Sequence, residues 1–170
     1  MYIQKKKINF SNITDVKKNT KGLLIGPGAS GKTKLLHEIY NINIEYKAPD
    51  IIKNKVTNED GKSLKFGKNT DKFDDRYPIA YIAPNYNSIE GYKPNIDAWI
   101  ELIKESCASA IVCYIKPHTH RLRLKNRIMN KGTPHPNQHT DNYPFSYQNL
   151  FYKLDKQNIE YCVINTQGNL

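Results

Sequence analysis

The sequence predicts an α/β domain in which a parallel sheet is covered by helices on both faces. Three observations carry that reading: short apolar runs bounded by polar or turn residues, helical apolar spacings between those runs, and a glycine-rich turn joining the first run to the first helical pattern.

Taken in order, KGLLI predicts a strand over 22–25, and KLLHEIY a helix over 32–40. Weaker strands are expected at 44–46 and in the short segment entering Asp75, separated by a polar, lysine-rich stretch over 50–72. Ile96, Trp99, Ile100 and Ile103 fall at i, i+3, i+4 and i+7 behind Asn95, the signature of a capped helix with one buried stripe. An apolar strand follows over 110–115. The stretch 133–144 holds three prolines and two histidines and predicts an irregular loop. Tyr147, Leu150, Phe151 and Leu154 behind Ser146 predict the last helix, and a strand over 160–164 completes the alternation.

A chain of 170 residues with 38% hydrophobic content is large enough for one core without metal or disulfide support, so a single domain over 1–170 is expected. Cys107, Cys113 and Cys162 are odd in number and lack metal-ligand spacing, which suits core thiols in a reducing compartment. No segment approaches the roughly 18 apolar residues of a membrane span, and MYIQKKKINF has no apolar stretch after its positive charges. A cytoplasmic protein without a membrane partner is the expectation, in the host cytoplasm if a phage encodes it. The formal net charge of +10 attracts polyanions, whether nucleoside triphosphates or nucleic acid. The arginines are Arg76, Arg121, Arg123 and Arg127; where lysine supplies nearly all the positive charge, these mark positions that need a planar, bidentate cation.

The run GPGASGKT, residues 26–33, matches G-x-x-x-x-G-K-[ST] between a predicted strand and a predicted helix, the context that the chemistry requires. Gly26, Gly28 and Gly31 permit the backbone to turn and approach closely, so that successive N–H groups and a helix N-terminus face phosphate oxygens. The expected ATP cradle comprises Gly26, Pro27, Gly28, Ala29, Ser30, Gly31, Lys32 and Thr33, with Lys34 beside it. Lys32 is expected to reach the β- and γ-phosphates and the Thr33 hydroxyl to ligate Mg²⁺.

No strand ending in a magnesium-binding acid follows, because AIVCY runs into Ile115, Lys116 and Pro117. The better acidic candidate is Asp75 in DKFDDRYP, with Asp74 as its competitor. A short strand would bring Asp75 and Arg76 together to the carboxyl edge of the sheet, where ligands of open α/β sheets bind. There Asp75 would hold magnesium or take a proton from an acceptor hydroxyl, and Arg76 would grip an acceptor phosphate.

With a phosphate loop, then D-R-Y, then an apolar strand followed by proline and an arginine-bearing helix, the chain resembles the nucleoside and nucleotide kinases. The resemblance is nearest to thymidylate kinase-like proteins, including small phage-type members, and spans most of 22–165. It implies a three-layer P-loop NTPase fold with a five-stranded parallel sheet of order 2-3-1-4-5 and helices on both faces. It also implies that Arg123 and Arg127, at the family's offsets from Pro117, stabilise the transferring phosphate within a lid-like segment at about 121–144. Arg121, Tyr77 and Tyr81 become candidates for acceptor binding, together with Asp75 and Arg76, and a homodimer is compatible with the family. His118, His120, His135 and His139 lack trusted zinc spacing and are expected to be solvated.

The expected function is transfer of the ATP γ-phosphate to a deoxynucleoside monophosphate. The alternatives are a kinase acting on a hydroxyl, of a nucleoside or of a polynucleotide 5′ end, and a nucleotide-binding module without efficient transfer.

Overall fold

In the computed structural model, residues 5–40, 78–81, 96–131 and 145–167 are described. They form four strands, β1 (Gly22–Ile25), β2 (Ile79–Tyr81), β3 (Ser109–Tyr114) and β4 (Tyr161–Asn165). The helices are α1 (Lys32–Ile39), α2 (Ile96–Ser106), α3 (Pro117–Lys131) and α4 (Tyr147–Lys156). All pairings are parallel, and the strand order is β2-β1-β3-β4.

Alternation along the strands assigns the two faces. Leu23 and Ile25 of β1, Ala110 and Val112 of β3, and Val163 of β4 join a core with Trp99, Ile100, Leu102 and Ile103 of α2 and Leu150, Phe151 and Leu154 of α4. Leu24, Ile111, Cys113 and Ile164, the intervening residues, join a second core with Leu35, Leu36 and Ile39 of α1. Because side chains point alternately to opposite faces of a strand, fully apolar strands are required when both faces are covered. The burial of all four β1 residues meets that requirement.

The expected helices recur with small shifts at their ends. Ser146 caps α4, its hydroxyl accepting from Asn149 N at 3.1 Å, and Lys153 and Lys156 stand in the last turn, where the carbonyl end of the helix favours cations. Trp99, expected on the apolar stripe of α2, is fully buried. Strands β3 and β4 begin and end one residue away from the expected spans.

Two features were not expected from the sequence. One is the strand beside β1, which spans Ile79–Tyr81, with Ile79 opposite Gly22 and Tyr81 opposite Leu24. Gly22 N donates to Pro78 O at 3.2 Å, so the chain enters β2 at the amino edge of the sheet. The segment entering Asp75 lies outside the described residues. The polar run KFDDR carries no apolar alternation, whereas Ile79 packs into the α1-side core and anchors the pairing. The weak strand at 44–46 lies outside the described residues.

The second is the N-terminal arm, which the sequence reading left unassigned. Phe10 forms a parallel bridge with Val163, and Ser11 N donates to Val163 O at 2.8 Å, so the arm covers the open edge of β4. A 3-10 turn over Ile13–Asp15 follows, closed by Asn12 and Asp15 in a reciprocal cap. The arm is pinned further by Lys6, whose Nζ reaches Asp155 Oδ2 at 2.9 Å and the Tyr161 hydroxyl at 2.7 Å. Covering an edge strand removes a row of unpaired backbone groups that would otherwise template aggregation.

Leu36 on α1 is fully buried in the second core. Its truncation, Leu36→Ala, is expected to cost about 2–5 kcal/mol by lost transfer energy and a residual cavity, read as a shift in urea unfolding. A loss under about 1 kcal/mol would mean that α1 is not docked as described.

Candidate functional site

The glycine run forms the connection from β1 to α1, at the carboxyl end of the sheet's inner strands. Its shape follows from close approach. A Cβ built on Gly26 would lie 2.6 Å from Ser30 Oγ, closer than real Cβ atoms come, and 3.0 Å from Cys113 O, a tight contact with backbone. Gly31 has φ of 85°, and its hydrogen faces Thr166 and Arg123. Ala29 holds φ of 63°. A left-handed conformation at a residue with a Cβ costs about 1–2 kcal/mol, so surrounding contacts must hold this turn in place.

Those contacts act on the loop's carbonyls. Lys32 Nζ, on a side chain only 8% exposed, donates to Gly26 O and Pro27 O, both at 2.9 Å. His120 of α3 places Nε2 2.7 Å from Gly28 O. Arg123, one turn further along α3, approaches Ala29 O at 3.5 Å and donates more closely to Thr166 O at 2.6 Å and Gln167 O at 3.2 Å. Thr166, just beyond β4, donates its hydroxyl to Ser30 O at 2.5 Å. Gly31 O accepts from Leu35 N at 2.9 Å in the first turn of α1.

This pattern orients the amides. The described chain contains no cis peptide, and in a trans peptide the N–H points opposite to the preceding C=O. With the Gly28, Ala29 and Ser30 carbonyls drawn toward α3 and the end of β4, the amides of Ala29, Ser30 and Gly31 turn the other way. Ser30 N closes the turn on Pro27 O at 3.2 Å. Amides on one side of a turn containing left-handed residues, leading into a helix N-terminus, are the arrangement used by anion-binding concavities; here the Ser30 amide is already engaged by Pro27 O. The Ser30 hydroxyl oxygen is fully buried there and has no hydrogen-bond partner.

Beneath the loop, Tyr147 bridges the end of β3. Its hydroxyl donates to Cys113 O at 2.7 Å and accepts from Ile115 N at 3.2 Å. Burial pushes the Tyr147 phenol well above its ordinary value, with smaller opposing contributions from the Ile115 bond and from Arg123. Burial likewise pushes the Cys113 thiol up to about 12, against the pull of nearby Lys32. The Cys162 thiol is raised, chiefly by burial.

The structure brings Gly26, Pro27, Gly28, Ala29, Ser30, Gly31 and Lys32 into this loop, with Lys34 exposed on the first turn of α1. It adds Arg123 to the same cluster, where the guanidinium holds backbone carbonyls. Arg121 is exposed on α3. The segment expected to be part of a lid is, over 121–131, regular helix. Arg127 lies on that helix and Tyr81 ends β2, but their side chains, like that of Thr33, lie outside the described residues, as do Asp74, Asp75, Arg76, Tyr77 and 132–144.

Among the histidines, His118 is exposed, whereas His120 is corrected from a solvated group to a part-buried contact of the loop; His135 and His139 lie outside the described residues. No group of three potential His, Cys, Asp or Glu metal ligands occurs among the described residues. His120, Thr166 and Tyr147 were missed as site residues. No motif marks them, since each acts on backbone atoms of a segment 32 to 136 residues distant.

Comparison with protein-family models, curated proteins and solved structures gives no match to this chain. Among the described residues no helix is long and apolar enough to cross a membrane.

The raised pKa values carry a pH consequence. Cys113 is neutral in the folded chain until about pH 12, while an unfolded thiol ionises near its ordinary value of 9.0. Above pH 9 the unfolded state has lost a proton that the folded state keeps, so stability falls as pH rises, by up to about 1.4 kcal/mol per pH unit for such a group. Urea unfolding between pH 8 and 10.5 is expected to show this decline, reduced in Cys113→Ala relative to its own value at pH 8. A flat profile would contradict the burial of these groups.

Proposed function

We propose that the chain is a P-loop phosphotransferase that binds ATP through residues 26–34 and transfers phosphate to a nucleoside monophosphate. The observation that carries the reading is the loop itself: its carbonyls are bound from outside, its amides turn the opposite way, and a buried lysine spans it. The residues present suit a polyphosphate, since a hollow of amide donors with an adjacent ammonium favours dense negative charge and excludes bulky side chains. The orphaned Ser30 hydroxyl adds a polar atom without a protein partner in the same loop.

The strand order supports the same reading. A parallel β2-β1-β3-β4 sheet is what remains of a 2-3-1-4-5 arrangement when its second strand is left out, with the loop on the central strand. Bound ATP would supply the phosphoryl group. Lys32 would exchange its two carbonyl partners for phosphate oxygens, a substitution of one charge-assisted contact for stronger ones. Magnesium enters through Thr33, with Asp75 as the acidic candidate, and the acceptor phosphate through Arg76; these roles rest on the sequence resemblance. Arg127, one turn beyond Arg123 on α3, is the proposed cation at the transferring group.

A second reading, a kinase of polynucleotide 5′ ends, is favoured by the net charge of +10, which would track a phosphate backbone. Salt separates the two: substrate affinity of a polynucleotide kinase falls steeply with ionic strength, that of a mononucleotide kinase much less.

The direct experiment offers radiolabelled ATP with a panel of nucleosides, monophosphates and 5′-hydroxyl oligonucleotides, with calorimetry of nucleotide binding alongside. Lys32→Ala is expected to weaken ATP binding about tenfold to a hundredfold, the value of a charge-assisted contact. Tight ATP binding without transfer to any acceptor would leave a binding module and remove the kinase. Separately, Arg127→Ala should lower kcat by about a hundredfold or more with little change in ATP affinity; an unaltered kcat would take that arginine out of the site.

A further inference from the structure

His120 stands in the first turn of α3, 92 positions from the glycine it contacts. Gly28 O can only accept, so the 2.7 Å contact requires Nε2 to carry its hydrogen, a state available to both the neutral ring and the imidazolium. The carbonyl it holds belongs to the peptide joining Gly28 to Ala29. That peptide is the least secure in the loop: glycine at one end imposes no side-chain restriction on rotation, and Ala29 at the other sits at φ of 63°, which a turn of the peptide would relieve. Unheld, the peptide would rotate so that its carbonyl, not the Ala29 amide, faced the hollow. An anion would then meet an acceptor instead of a donor.

We infer that His120 is a positioning residue for polyphosphate: it pins the Gly28–Ala29 peptide from behind, so that the Ala29 N–H is presented to a phosphate oxygen. The inference rests on the phosphate-loop reading above and extends it to a residue that would act without touching nucleotide. The neighbouring peptides have different holders. Arg123 approaches the Ala29 carbonyl only at 3.5 Å and is committed mainly to Thr166 and Gln167, while the Ser30 carbonyl belongs to Thr166. His120 alone among these three groups is placed on Gly28 O.

The test compares calorimetric affinities for MgATP and for inorganic tripolyphosphate in the wild type, His120→Ala, His120→Asn and His120→Gln, together with thermal unfolding of each. In glutamine the amide nitrogen lies about as far along the side chain as imidazole Nε2, so it can donate to Gly28 O, whereas the asparagine amide falls short. The alanine and asparagine variants are expected to lose about fivefold to tenfold in affinity for both ligands, the scale of one hydrogen bond. The glutamine variant should recover most of that loss, with the unfolding midpoints of all four proteins within about 2 °C.

Undiminished tripolyphosphate affinity in the alanine and asparagine variants overturns the inference. So does a loss confined to ATP, which would put His120 beside the nucleoside, or a glutamine variant as weak as alanine. A wild type that binds neither ligand overturns the phosphate-loop reading itself, and the inference with it.

Discussion

The bond network on the carbonyls of residues 26–30 is the constraint on which the site depends. A glycine-rich turn left to itself samples many conformations, since glycine lowers the barriers that define a turn. Here His120, Arg123 and Thr166 converge on its outer surface from α3 and the end of β4, while Lys32 of α1 holds the Gly26 and Pro27 carbonyls. Each bond is modest alone, about 0.5–1.5 kcal/mol net, but together they select one arrangement of amides. A binding loop with oriented dipoles need not reorganise when an anion arrives, which is the main source of electrostatic advantage in such sites.

That convergence requires the sheet. Parallel pairing of β1 with β3, and of β3 with β4, brings the carboxyl ends of three strands to one edge, so that Gly26, Ile115 and Thr166 become neighbours although they are far apart in sequence. Tyr147 locks the β3 end by engaging Cys113 O and Ile115 N with one hydroxyl. The two cores hold the sheet between α1 on one side and α2 with α4 on the other, and the N-terminal arm seals the β4 edge. The resulting low-dielectric floor under the loop is visible in the Cys113 thiol, neutral despite nearby Lys32.

The part of this that could be read from the chain is the part written in local pattern. Apolar runs such as GLLI, helical spacing at 96, 99, 100 and 103, the Ser146 cap and the GPGASGKT turn each state their structure within a few residues, because the backbone periods and capping bonds involved are local. Strand β2 was not legible for the same reason in reverse. A three-residue strand is chosen by its partner, and Ile79 fits beside Gly22 and against α1, which no local count of apolar residues could reveal.

By itself, then, the sequence determined an alternating α/β chain and a glycine-rich turn between the first strand and the first helix, with Lys32 directly after it. Only the tertiary structure decided which way the turn's peptides face, that His120 is part of the loop's scaffold, that Arg123 spends its guanidinium on carbonyls beyond β4, and that Phe10 and Ser11 close the sheet. The physical reason is that a periodic pattern reports what each residue does to its near neighbours, whereas a carbonyl's partner is settled by where a parallel sheet delivers distant strand ends.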